Sequence, residues 1–167
     1  MPENTSSSDS TTPLSDGRAR VAADAATRGI AIDIVQRPAA DSLEEAATLL
    51  GISPSTIVKS LVVKRHDGTF LFALIPGDRQ ISWSKLRTVV GVNKLRLPEA
   101  AVALEATGYE RGTITPLGSS TAWPVFADER IVGTRIALGA GEHGFSAFVD
   151  ANELVAGFAA TLADISD

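Results

Sequence analysis

Apolar residues recur with two different periods along this chain, and the two periods predict a mixture of helices and strands. Alanine-rich or helically spaced stretches predict helices over residues 18–29, 42–50, 83–90, 99–106 and about 150–163. Alternating or continuous apolar stretches predict strands over residues 30–36, 57–65, 69–75, 93–97, 125–127, 131–138 and 145–149. Strands therefore outnumber helices, and most of them follow one another through short connections.

The connections between these elements decide the fold class. His66-Asp67-Gly68 is typical of a hairpin turn, and Pro98 is expected at the first position of its helix. Asp150 with Glu153 three residues later resembles a capping box. We predict an α+β fold in which a mixed, largely antiparallel, curled and barrel-like sheet is surrounded by helices, rather than a doubly wound parallel sheet.

Composition limits the function classes and suggests a single domain. Residues 1–17 are rich in Ser, Thr, Asp and Pro, so we expect a disordered leader followed by one domain over residues 18–167. The absence of cysteine excludes disulfides, thiolate nucleophiles and cysteine-ligated metal sites. No apolar run reaches the roughly 20 residues that span a bilayer, and the N-terminus does not resemble a signal peptide. We therefore expect a cytoplasmic protein with no membrane partner.

The charge distribution is uneven along the sequence. The net charge is −5, but residues 59–96 carry eight basic and two acidic side chains, so this segment is +6 and the remainder −11. One interpretation is a solvated face whose sign is accidental. The other is a local patch that contacts the phosphates of a nucleic acid, with Arg79, Lys85, Arg87 and Lys94 as the contact residues.

Several common catalytic arrangements are missing from the sequence. The two histidines, His66 and His143, are not spaced as paired metal ligands, so we expect no metal and no cofactor. There is no G-x-S-x-G elbow, no Walker motif and no complete dinucleotide fingerprint. Catalysis in this chain would therefore depend on a lysine, backbone dipoles, water and groups of the substrate itself.

Lys59 is the first candidate for such chemistry. It lies within the apolar run I-V-K-S-L-V-V, residues 57–63. A lysine in a half-buried strand usually remains on the solvent face. An almost unbroken apolar run nevertheless requires that the cation reach water or an anionic partner, so Lys59 is a candidate for holding a phosphate, carboxylate or ester oxygen.

The second candidate is the segment 107–118, which combines three glycines and a proline with hydroxyl side chains. Such a segment either only turns a corner or forms a shaped loop that directs backbone N–H groups at a ligand. Asp128 is either a turn-former or a group at the site, and His143 is either a loop residue or part of the lining of the site.

Taken together, these motifs resemble the YbaK/ProX family of free-standing aminoacyl-tRNA deacylases, which are related to the editing domain of bacterial prolyl-tRNA synthetases. The resemblance extends from about residue 28 to residue 160. It is carried by four motifs in the family's order and spacing, namely Lys59 in its strand, Pro76-Gly77-Asp78, Thr107-Gly108-Tyr109 and G-T-I-T-P-L-G at residues 112–118.

The resemblance implies a reaction and a set of residues. The reaction is hydrolysis of the ester between a wrong amino acid and the terminal adenosine of a tRNA, most similar to the branch that acts on Cys-tRNA(Pro). Lys59 and Gly112 would be catalytic, and a substrate group would assist the attacking water. The residues expected to contact the substrate are Thr107, Gly108, Tyr109, Thr113, Ile114, Thr115, Pro116, Asp128 and His143. Thr113 departs from the glycine of many relatives, so it is expected to narrow the pocket or change the loop.

Three functions are therefore compared. The first is a trans-editing hydrolase for tRNA(Pro) carrying Cys, Ala or another small residue, which binds aminoacyl-tRNA rather than DNA and is recruited by a synthetase. The second is a non-catalytic module that binds tRNA or a synthetase. The third is a small-molecule ester hydrolase, which would not need the positive run at residues 79–96.

Overall fold

The computed structural model describes residues 16–167 as five helices, eight strands and two short 3₁₀ turns. The helices are α1 (Gly17–Thr27), α2 (Leu43–Leu50), α3 (Trp83–Val90), α4 (Ala100–Thr107) and α5 (Ala151–Phe158). The strands are β1 (Ile32–Gln36), β2 (Val58–Arg65), β3 (Phe70–Pro76), β4 (Leu95–Arg96), β5 (Val125–Asp128), β6 (Arg135–Gly139), β7 (Phe145–Asp150) and β8 (Thr161–Ala163).

The strands form two sheets. The smaller sheet has the order β1-β7-β6 with antiparallel pairs throughout. The larger sheet has the order β4-β2-β3-β5-β8, antiparallel between β2 and its two neighbours and parallel from β3 to β5 and from β5 to β8. The predicted α+β class with a mixed, largely antiparallel sheet is confirmed, although the described strands form two sheets rather than one closed barrel.

Strand β3 is the centre of the larger sheet because its apolar side chains are buried on both faces. Phe72 and Leu74 belong to the main core between the sheets. Leu71, Ala73 and Ile75 instead pack into a second core with Leu86 of α3. A continuous apolar run without alternation is the pattern expected of a strand that is covered on both sides.

The two sheets meet at one end of β2. Ile57, directly before β2, forms a parallel bridge with Ala137 of β6. Only Lys64 and Arg65, at the other end of β2, pair with β4. The first half of β2 is therefore an open edge beside the smaller sheet, and a cavity forms at this edge.

Local capping signals set several helix ends. Ser42 and Ser82 accept hydrogen bonds from the N–H groups of Glu45 and Lys85 at the starts of α2 and α3, and left-handed glycines, Gly51 and Gly91, end both helices. Asp150 caps α5 in the same way, but the Glu153 carboxylate accepts from the N–H of Ala31 and so ties α5 to the start of β1.

Three predicted boundaries are wrong. Pro98 precedes α4 rather than starting it, since Glu99 is still extended. The region before β6 contains a 3₁₀ turn, Glu129–Ile131, because the Asp128 side chain accepts from the Arg130 N–H. Helix α5 ends at Phe158, and the following residues form β8 because β5 offers a pairing edge.

The expected leader, residues 1–17, lies outside the described residues except for its last two, of which Gly17 is the first residue of α1. No helix in residues 16–167 is both long enough and apolar enough to cross a bilayer.

Candidate active site

A cavity of about 450 Å³ lies where β2, β6, α2 and the loop after α4 come together. Its apolar wall is formed by side chains that include Leu43, Leu50, Val62, Leu138 and Phe145. Three serines add hydroxyl groups, namely Ser42, Ser60 and Ser146. The charged residues that line it are Arg37, Asp41, Lys59 and Arg111. A mostly apolar cavity of this size with a few polar groups has the form of a small-ligand site.

Lys59 reaches this cavity from β2, at the register position opposite Ile75 of β3. Its ammonium donates a hydrogen bond to the carbonyl of Arg79. Burial lowers the pKa of Lys59, while the carboxylates of Asp78 and Glu44 act in the opposite direction. Lys59 is thus a partly desolvated cation on a strand that lines the cavity, and a backbone carbonyl holds its ammonium.

The loop from Gly112 to Pro116 places two residues in the cavity wall. Gly112 has a φ of +93°, which favours glycine, and both Gly112 and Ile114 line the cavity. Within residues 16–167, the N–H groups of Gly112 and Ile114 have no hydrogen-bond acceptor. Two lining residues of this loop therefore carry unpaired backbone donors.

The hydroxyls of this loop stabilise its shape from within. Thr113 donates to the carbonyl of Glu110 at 2.8 Å, and the Thr115 hydroxyl accepts from the N–H of Leu117 at 3.2 Å. Both threonines are buried, and neither lines the cavity. The Thr113 side chain is therefore not part of the cavity wall. A threonine in place of glycine at this position affects the shape of the loop.

Gly139, at the end of β6, fixes how closely this loop approaches the sheet. A Cβ at Gly139 would lie 2.5 Å from the carbonyl oxygen of Ile114 and 2.9 Å from that of Thr113. The Thr113 carbonyl also accepts from the Gly141 N–H at 3.1 Å. A side chain at Gly139 would displace the loop. The position of this part of the cavity wall therefore depends on Gly139 as well as on the G-T-I-T-P-L-G motif.

The Thr107-Gly108-Tyr109 segment stabilises the loop through hydrogen bonds. The Thr107 hydroxyl donates to Ala103 within α4, and the Tyr109 hydroxyl donates to the Leu117 carbonyl at 2.7 Å. Burial raises the pKa of Tyr109 to about 12, although the Arg20 guanidinium over its ring acts against this. These residues, like the buried Pro116, position the loop and do not line the cavity.

Asp128 also lies away from the cavity, at the end of β5, and its side chain is fully buried. Its carboxylate accepts from the Ser166 hydroxyl at 2.7 Å and from the N–H groups of Ile165 and Arg130 at 3.2 and 2.9 Å. Burial alone would raise the pKa of Asp128, but these hydrogen bonds hold it below its usual value.

Asp128 and its hydrogen-bond partner Ser166 are linked to Lys59 through Arg79. The Arg79 guanidinium donates to the Ser166 hydroxyl at 2.7 Å, and the Arg79 carbonyl accepts from Lys59. Arg79 therefore links the buried carboxylate, through its side chain, to the lysine, through its carbonyl. Neither Asp128 nor Ser166 lines the cavity.

The remaining predicted residues lie at the rim or on other faces. His143 is exposed, contacts the Glu110 carboxylate at 3.1 Å, and is close to Gly112 without lining the cavity. Lys85 forms ion pairs with Asp164 and Asp167. Arg87 lies in the last turn of α3, and Lys94 lines a second cavity.

Several residues of the cavity were not singled out by motif analysis. The Ser60 hydroxyl is enclosed and has no hydrogen-bond partner among residues 16–167, which is unusual for a buried polar group. Arg37 donates to the Ser146 hydroxyl at 3.1 Å, and Arg111 is exposed beside Gly112. Of these residues, only Ser60 could have been found from the sequence, because it follows Lys59 on the same strand.

Across residues 16–167, His, Cys, Asp and Glu side chains do not come together in groups of three or more that could hold a metal ion.

Residues 37–156 match the protein family described as the aminoacyl-tRNA editing domain. A proline–tRNA ligase of Thermosipho africanus is 38% identical over 88 residues, which is 53% of this chain and 16% of the ligase. The ligase of Stenotrophomonas maltophilia is 31% identical over 134 residues, 76% of this chain and 24% of the ligase. The chain thus spans less than a quarter of either ligase.

Solved structures agree over nearly the whole chain. A candidate trans-editing enzyme for prolyl tRNA synthetase superposes with a TM-score of 0.82 at 28% identity, covering 90% of this chain and 97% of that one. The hypothetical protein APE2540 gives the same TM-score at 27% identity, covering 89% of this chain and 99% of its own.

Proposed function

This chain belongs to the aminoacyl-tRNA editing domain family, and we propose that it is a trans-acting hydrolase that removes wrongly attached amino acids from tRNA(Pro). The proposed substrates carry Cys, Ala or another small residue. The choice of tRNA rests on the similarity to proline–tRNA ligases and to a candidate trans-editing enzyme for prolyl tRNA synthetase.

The observation that carries the proposal is the convergence on one cavity of a cation, two free backbone donors and an apolar wall. Lys59 comes from β2, and the N–H groups of Gly112 and Ile114 come from the loop after α4. An aminoacyl ester presents the matching groups, namely a carbonyl oxygen that becomes an oxyanion, an apolar side chain and nearby ribose and phosphate oxygens.

In the proposed reaction, water adds to the carbonyl carbon of the ester. Negative charge develops on the carbonyl oxygen, and the Gly112 and Ile114 N–H groups stabilise it. The bond between that carbon and the ribose oxygen then breaks, the ribose oxygen takes up a proton, and the free amino acid leaves. Lys59 binds ribose or phosphate oxygens and fixes the ester against the loop.

The attacking water needs a base, and the protein side of the cavity offers few. Asp41 is the one carboxylate among the described residues that line it, and it is exposed. No histidine of the described chain lines it either. We therefore assign the proton transfer to a group of the substrate, a ribose hydroxyl or the thiol of cysteine, as the family resemblance implies.

The cavity should reject large acyl groups more strongly than it discriminates among small ones. A single methylene changes binding in an apolar pocket by only about 1–3 kcal/mol. Discrimination between Ala and Ser depends instead on polar contacts, and the unpartnered Ser60 hydroxyl is one such group.

Binding at this cavity can be tested without turnover. We expect an alanine joined by an amide bond to the 3′ position of adenosine to shift the backbone amide NMR signals of Gly112 and Ile114. Hydroxyl-bearing and apolar acyl variants of the analogue would report on Ser60. Shifts confined to another face of the protein would contradict the assignment of the site.

We propose that a prolyl-tRNA synthetase delivers the tRNA to this protein and that the protein acts in the cytoplasm. Copurification of the two proteins from cells, with and without ribonuclease, separates a direct contact from a tRNA-mediated one.

A further inference from the structure

A second cavity, of about 430 Å³, lies at the far end of β2 from Lys59. It is lined by the hairpin turn after β2 and by the residues before β4, including Arg65, His66, Asp67, Asn93 and Lys94. We call it the distal groove. From the geometry of a strand, Lys59 and Arg65 lie about 20 Å apart along β2.

The distal groove concentrates cations that have no acidic partners. Arg65 of β2 and Lys94, just before β4, line the groove. Lys64 and Arg96 pair at the same end of β2, but side chains alternate along a strand, so these two lie on the other face from Arg65. Within residues 16–167 none of these four side chains forms a salt bridge. Asp67 is the one carboxylate that lines the groove, and the hydroxyl and N–H of Thr69 both donate to it.

One detail shows that the groove cations are not arranged for the stability of the fold alone. The Nε of Arg65 is buried and has no hydrogen-bond partner within residues 16–167. An anion in the groove would supply the missing acceptor. Lys64 and Arg96, register partners of like charge on the other face, add positive charge at the same end of β2.

The positive segment seen in the sequence is thereby divided by the fold. Arg79 and Lys85 are occupied by Ser166, Asp164 and Asp167. Arg65 and Lys94 remain available in the groove, with Lys64 and Arg96 on the other face of the same strand end, on a chain whose net charge is −5. A confined positive patch on an acidic protein suits a polyanion that is bound locally rather than along the whole surface.

We propose that the distal groove binds the phosphate backbone of a tRNA, several nucleotides from the ester that occupies the cavity at Lys59. This assignment rests on the proposed function for its choice of ligand. It predicts that the groove contributes to recognition of a full-length tRNA and makes no contact with the terminal aminoacyl-adenosine itself.

The test compares two charge reversals that change the net charge equally. Lys94→Glu alters the groove, and the fold should be retained because Lys94 is exposed and lies outside the strands. Arg135→Glu is the control, because Arg135 is exposed on the smaller sheet, where it pairs with Asp33. Binding of uncharged full-length tRNA is measured from low to moderate salt, and hydrolysis is measured on both the full-length and a short 3′-aminoacylated substrate.

We expect Lys94→Glu to weaken tRNA binding about fivefold to tenfold and to reduce the slope of log K against log salt by about one. Hydrolysis of the short substrate should remain unchanged, and Arg135→Glu should bind within about twofold of wild type. Equal effects of the two reversals would overturn the groove and leave only a general charge effect. If wild type hydrolyses neither substrate the proposed function fails, while the tRNA-binding comparison still decides the groove.

Discussion

Replacing Lys59 with alanine is expected to lower the rate of ester hydrolysis by about 10²–10³-fold, the usual cost of removing one preorganised electrostatic group from an active site. Lys59 is the cation of β2 that lines the cavity, and its ammonium is held by the Arg79 carbonyl beside the loop donors. Because the side chain is only half-buried, thermal unfolding should change by no more than the loss of about one hydrogen bond.

Lys59→Met separates charge from packing, since methionine keeps most of the apolar stem without the ammonium. We expect it to be as inactive as the alanine variant, and Lys59→Arg to recover part of the rate. Single-turnover kinetics on a saturating short substrate measure the chemical step in each case. A methionine variant with the wild-type rate would show that the cation is not needed.

Replacing Asp128 with alanine is expected to destabilise the fold by about 3 kcal/mol. The substitution leaves the Ser166 hydroxyl and the Ile165 N–H without their buried acceptor, and it removes one of the two carboxylates that pair with Arg130. Urea unfolding at neutral pH measures the loss. Asp128→Asn keeps the shape and one acceptor oxygen, so its stability should lie between those of wild type and alanine.

The pH dependence gives this prediction a second readout. The folded pKa of Asp128 is lower than its ordinary value of 3.8, so the carboxylate stabilises the fold above pH 4. That contribution is lost as the pH falls below about 4 and toward the folded pKa. The gap between wild type and Asp128→Asn should therefore narrow over this acidic range. An Asp128→Ala variant as stable as wild type would contradict this account of the buried carboxylate.

The predictable parts of this fold are those written in local sequence. Ser82 and Gly91 bracket α3, and the apolar run of β3 has the continuous pattern of a strand covered on both faces. The family resemblance, carried by Lys59 and the Gly112 loop, is confirmed by the match over residues 37–156. The helix ends and the strand pattern depend on residues within a few positions of one another, and each motif of the family is likewise short.

The parts that could not be predicted depend on contacts between distant segments. Strand β8 exists because β5 offers a parallel edge, which overrides the helical tendency of its alanine-rich surroundings. Gly139 and the Ile114 carbonyl meet only after the two sheets join. Charge counting could not separate Lys85, which pairs with Asp164, from Lys94, which lies in the groove.

The central claim is that this cavity hydrolyses a mischarged ester and spares the correct one. The most direct measurement is the deacylation rate of tRNA(Pro) charged separately with Cys, Ala, Ser and Pro, each compared with its spontaneous rate. We predict that at least one small wrong amino acid is removed well above the spontaneous rate while Pro-tRNA(Pro) remains intact. Spontaneous rates for all four esters, or equal removal of proline, would contradict the claim.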